Sequence, residues 1–130
     1  MLIVQKEVSN VQITCYGEKE IKEIDKKFPS TIEGKFDGLK WCEYTINGKH
    51  NKLSFGVIGV DADFYLRLLE GLTAEKPIWS SFSAKVNDVY RQGNGIDIQH
   101  TFTMHNFTQL EVSHKNNASG ELEEIIFTLS

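Results

Sequence analysis

The strongest constraint on this chain is the period of its apolar residues, which repeat every second position almost everywhere and every third or fourth position in one stretch only. Val11, Ile13 and Cys15 alternate with polar residues, as do Leu53, Phe55 and Val57, then Phe82, Ala84 and Val86, and finally Ile125, Phe127 and Leu129. Successive side chains of a strand point to opposite faces, so this period predicts half-buried β-strands. The exception is Phe64, Tyr65, Leu68, Leu69 and Leu72, which fall on one side of a helix over about 61–72. Asp61 or Asp63 can cap its start, and Gly71 and Pro77 read as its end.

The remaining elements follow from punctuation. Thr31 to Phe36 and Lys40 to Ile46 read as strands, and Asn47-Gly48 supplies the residues a tight hairpin turn requires, which pairs 40–46 with 52–59. Trp79 to Val89 forms a long strand. Arg91 to Gly95 turns, and the next strand places Ile96, Ile98, Phe102 and Met104 together. Its phase slips near Asn106-Phe107, as a bulge would cause, before Leu110 and Val112 continue. The last strand either pairs internally or offers an edge. The stretch 18–28 carries Ile21, Ile24 and Phe28 at helical spacing with Glu18/Lys22 and Glu23/Lys27 pairs. It reads as a short helix or a charged loop, the helix being slightly favoured. Strands, one central helix and strands again predict a mainly β fold, a β-sandwich or a partly open barrel, in a single domain over 1–130.

Composition narrows the function more than it names it. The 130 residues carry 14 Lys and Arg against 18 Asp and Glu, a net charge of −4, with the lysines interleaved among glutamates. No basic stripe marks a nucleic-acid binder. The first ten residues read as a strand or docking arm, not a signal peptide, and no apolar run is long enough for a membrane span. Cytoplasmic residence is therefore expected, with Cys15 and Cys42 both reduced.

Catalytic signatures are missing. His100 and His105 are an odd number apart and so face opposite sides of a regular strand, His50 sits in a loop, and none has an acid at ligand spacing. No serine or cysteine stands in a nucleophile elbow. Asp61 and Asp63 read as helix capping, and Glu121, Glu123 and Glu124 as a strand edge facing water. The expectation is a protein without enzymatic activity, metal or cofactor. Trp41 and Trp79, each opening a strand, and Tyr90-Arg91 before the glycine turn are residues of the core or anchors of a subunit interface. On the interface reading, Trp79→Ala impairs assembly more than folding.

The second half of the chain resembles phage and prophage tail tube proteins, whose relatives in fold include type VI secretion tube proteins. The resemblance runs through LSFGVIGVDADFYLRLLEGL, then IWSSFSAKVNDVYRQGNGIDIQHTFTMHNFTQLEV, then the closing GELEEIIFTLS. It covers the region from Leu53 to Ser130 and is one of element order; the charged stretch EKEIKEIDKKF departs from the family's first half. The resemblance implies a subunit that self-assembles into rings, commonly of six, which stack into a tube around a lumen. DNA or an effector passes through it, other tail or baseplate proteins are the partners, and the address is host cytoplasm and then the assembled particle. An acidic protein would suit a lumen that repels phosphate. Loops 17–28 and 47–52, with Lys22, Lys26, Lys49 and His50, are then candidates for contacts between rings or with a sheath. A small cytoplasmic binding module, an immunity-type inhibitor or phage accessory protein, is the competing expectation.

Overall fold

Alternation in the sequence becomes alternation in burial. The computed structural model describes residues 4–17, 31–92, 95 and 97–130, with backbone alone for 4–9, 92 and 97. In β1 (Val4–Gly17) the side chains of Val11, Ile13 and Cys15 are completely enclosed. The strands β2 (Thr31–Phe36), β3 (Leu39–Thr45) and β4 (Lys52–Val57) come next. Helix α1 (Ala62–Thr73) precedes β5 (Trp79–Gln92), β6 (Asp97–Phe107), β7 (Leu110–Asn116) and β8 (Leu122–Leu129). The predicted helix at 18–28 lies outside the described residues.

The strands form two four-stranded sheets, β2-β1-β5-β6 (sheet A) and β3-β4-β8-β7 (sheet B), and every pairing is antiparallel. This is the β-sandwich with one helix that the periodicity predicts. Its core is aromatic at the centre. Phe36 of sheet A lies 5.1 Å from Phe55 and 4.9 Å from Phe127 of sheet B, and 5.9 Å from Phe64 of the helix, ring centre to ring centre. The C-terminal strand pairs internally, between β4 and β7, and Ser130 exchanges backbone hydrogen bonds of 3.0 Å with Gln109.

Three local expectations change. The 46–51 connection is longer than a two-residue turn: Thr45 pairs with Lys52, and Asn47 Oδ1 accepts from the amides of Lys49 and His50 while Gly48 takes φ 79°. Gly71 does not end the helix. It is buried within it, because a Cβ there would meet Trp79 Nε1 at 2.1 Å, and the helix runs on to Thr73. Of the described members of its group only Met104 is fully buried, whereas Phe102 is half-buried and Ile98 is 47% exposed. The phase slip in β6 is present: Ala84 pairs with Met104 but Phe82 with Phe107, and Asn106 adopts φ 66°.

Burial also silences one thiol. It pushes Cys15 from 9.0 up to about 12, whereas Cys42 is half-buried. An unfolded chain releases this proton near 9 and the folded one near 12, so the contribution to stability is intact below pH 9 and declines as pH rises towards 12. In a thiol-reagent assay at neutral pH, Cys42 is expected to react first and Cys15 only on unfolding. Equal rates would contradict this placement.

Candidate assembly interface

A sandwich of two open sheets has four edge strands, here β2 and β6 in sheet A and β3 and β7 in sheet B. Edge strands expose unpaired amides and carbonyls, and natural sheets protect them with lysine, proline or bulges. Three edges carry a lysine, Lys40 in β3, Lys115 in β7 and Lys35 near the end of β2, which leaves Thr31 to Gly34 of β2 open to pairing. The edge β6 does not: DIQHTFTMHNF holds no lysine, arginine, glutamate or proline. Its one bulge lies at the far end, so Asp97 to Met104 is an uninterrupted, nearly uncharged edge with Gln99, Thr101 and Thr103 exposed. Behind it, Asn87 Oδ1 accepts from Thr101 Oγ1 at 2.9 Å and Gln99 Nε2 at 3.2 Å, which orders the outer face of the strand.

Where the sandwich opens away from the helix, a polar centre joins the sheets. Asp88 of β5 has no exposed surface, and its Oδ2 accepts from the hydroxyls of Tyr44 on β3 and Tyr90 on β5, the latter at 3.2 Å. Burial first, and then the Asp88 carboxylate, raise the Tyr44 phenol well above its ordinary value, which keeps it a donor. Phe102 of β6 packs 5.2 Å from the Tyr44 ring. The arrangement contains a donor pair and an acceptor with no nucleophile among them, and it serves to fix sheet B against sheet A.

A second acid is buried on the opposite surface. Glu124 is 6% exposed although it belongs to the outer face of sheet B. Trp41 lies across Gly56, and its Nε1 donates to Glu124 Oε1 at 3.3 Å while Lys40 Nζ stands 3.8 Å from Oε2. The expectation that the acids near 121–124 all face water is thus corrected for Glu124: an indole two strands away covers it.

The other interface candidates are dispersed. Trp79 is 3% exposed, seated on Gly71 with its Nε1 3.3 Å from the Arg67 carbonyl, so the folded chain does not present it to a partner. Trp41 and Tyr90 are half-buried, and Arg91 is exposed at the end of β5. Lys49 and His50 are exposed in the β3–β4 loop, while Lys22 and Lys26 lie outside the described residues. A shallow cleft between β2 and α1 is lined by Glu33, Asp61, Asp63 and Arg67, but Asp61 caps the helix and Asp63 faces Arg67 at 3.9 Å. Among the described residues no three His, Cys, Asp or Glu side chains group as metal ligands, and no helix is long and apolar enough to cross a membrane.

Among the described residues, fold and edges together define an all-antiparallel β-sandwich with one flanking helix and one edge strand without a lysine. A scan of protein-family models returns no match, and searches of curated proteins and of solved structures return none either.

Proposed function

We propose that this chain is a self-assembling structural subunit whose sheet A joins edge to edge, β6 of one copy to β2 of the next, into a ring that stacks as a tail or injection tube. The observation that carries this reading is the nearly uncharged edge of β6, the one edge strand of the four without a lysine. Strand direction supports it too. Sheet A has four strands, all antiparallel, so β2 and β6 run in opposite directions. A neighbour related by rotation about a ring axis therefore brings its β2 antiparallel to β6, and the alternation continues through the junction. Six such copies, the number the family resemblance implies, would place roughly 24 strands around a barrel, enough to leave a lumen for DNA or an effector.

The outer face of sheet A would line either the wall or the surface of that tube. Among the described side chains its exposed charges are Lys35, Lys85 and Arg91 with Glu33, set among Gln12 and Thr101. Passage past such a wall would rest on its uncharged polar groups and not on repulsion of phosphate.

Blocking β6 with Thr101→Lys/Thr103→Lys and blocking β2 with Thr31→Lys/Glu33→Lys tests this, read by electron microscopy and sedimentation. Each variant is expected to lose rings, and a mixture of the two to form a capped dimer through the one intact junction. If the β2 variant alone still dimerises, β6 pairs with itself about a two-fold axis and the ring is refuted. If wild type stays monomeric at high concentration and on a preformed nucleus, the edge receives a strand from another protein, which is the binding-module reading.

A further inference from the structure

The β3–β4 connection holds a reactive pair of residues. Asn47 is followed by Gly48, both are exposed, and they lie beyond the last pairing of the hairpin, Thr45 with Lys52. Asn47 Oδ1 accepts from the backbone amides of Lys49 at 3.1 Å and His50 at 2.6 Å. Bonds to the amides two and three residues on turn the carboxamide back along its own backbone, towards the Gly48 peptide. Gly48 has no Cβ to obstruct that approach, and it takes φ 79°, where glycine is at ease. The two amides also do for this carbonyl what an oxyanion hole does for a substrate. They stabilise the negative oxygen that appears when a nucleophile adds to the carbon.

We infer that Asn47 is a self-modification site, at which the folded chain loses ammonia and gains a carboxylate. The Gly48 nitrogen gives its proton to solvent and bonds to Asn47 Cγ. The Cγ–Nδ2 bond then breaks, and Nδ2 leaves as ammonia with a proton from water. The cyclic imide that remains takes up a water molecule. Opening at the side-chain carbonyl gives aspartate, and opening at the main-chain carbonyl gives isoaspartate; no oxidant, metal or cofactor is consumed.

The change matters because of where the charge lands. From Tyr44 to Lys52 the chain has Lys49, His50 and Lys52 and no acid, so the product is the first carboxylate in this loop. The same two amides hold a carboxylate more strongly than they held the carboxamide. The positive charge of the loop therefore falls as the protein ages, whether or not rings form.

Asn117 supplies the comparison. Exposed in the β7–β8 turn, its Oδ1 likewise accepts from the amides of Ser119 at 2.9 Å and Glu121 at 3.0 Å, but alanine follows it. The test incubates the folded full chain at neutral and mildly alkaline pH and follows each asparagine by peptide mass spectrometry, with an isoaspartate-specific methyltransferase to separate the two products. Asn47 is expected to convert several-fold faster than Asn117, and faster still at the higher pH, where the attacking amide loses its proton more readily. Ala118→Gly, in an exposed turn, is expected to raise the rate at Asn117 several-fold. Equal conversion of Asn47 and Asn117 in the wild type would overturn the assignment. So would an intact Asn47 while Asn94, in the other Asn-Gly pair of the sequence, converts. An Ala118→Gly chain in which Asn117 stays slow would remove the role given to the glycine and the paired amides.

Discussion

Replacing Trp79 by alanine is expected to lower the free energy of unfolding by about 3–5 kcal/mol, a large share of what a domain of this size has. The ring closes the seam between helix and sheet A: it is 3% exposed, fills the space where Gly71 has no side chain, and donates to the Arg67 carbonyl. Truncation removes that volume and leaves the carbonyl without this donor. Urea unfolding monitored by far-ultraviolet circular dichroism measures the loss. A variant that folds normally but fails to assemble would instead restore Trp79 as an interface anchor. Gly71→Ala attacks the same seam from the other side. Alanine in a helix normally gains about 1 kcal/mol over glycine, yet here its methyl would overlap the indole, so a net loss of about 1–3 kcal/mol is expected. In a Trp79→Ala background the clash vanishes and Gly71→Ala becomes neutral or stabilising. That reversal is the signature of direct contact.

The second large effect is at Asp88. Asp88→Ala withdraws the buried acceptor shared by the half-buried Tyr44 and Tyr90 hydroxyls, at an expected loss of about 1–3 kcal/mol. Replacing a buried polar group and its partner by well-packed apolar side chains of similar volume often costs little. Asp88→Leu combined with Tyr44→Phe is therefore expected to recover much of the stability. If Asp88→Ala unfolds at the same denaturant concentration as wild type, the carboxylate does not join the sheets.

Different parts of this structure were legible to different degrees. Alternation is a local property, and it exposed β1, β4, β5 and β8, the helix, and even the slip in β6 that Asn106 produces. Partner strands are not local. Nothing around Cys15 announces that it pairs across to Phe82, or that β8 enters between β4 and β7. Asp88 could have been found, because it continues the inward phase of Phe82, Ala84 and Val86. Glu124 could not, since its phase is outward and its burial comes from an indole on another strand. Trp79 illustrates the same limit: a large aromatic at a strand start suits a core or an interface, and only the glycine opposite decides. The edge character of β6 required the sheet order, after which its missing lysines became meaningful.

Helix α1 presses Phe64 onto β2 at Gly34, where a Cβ would come within 2.5 Å of the ring. In the proposed ring an incoming neighbour would use that same strand. A copy whose helix has not docked would hold β2 by its pairing with β1 and by Phe36 against Phe55 and Phe127, without Phe64 pressed on Gly34, and would offer a less firmly held edge. Joining the polymer would then report on folding: growth would sort finished subunits from unfinished ones at each addition, with no separate inspector needed.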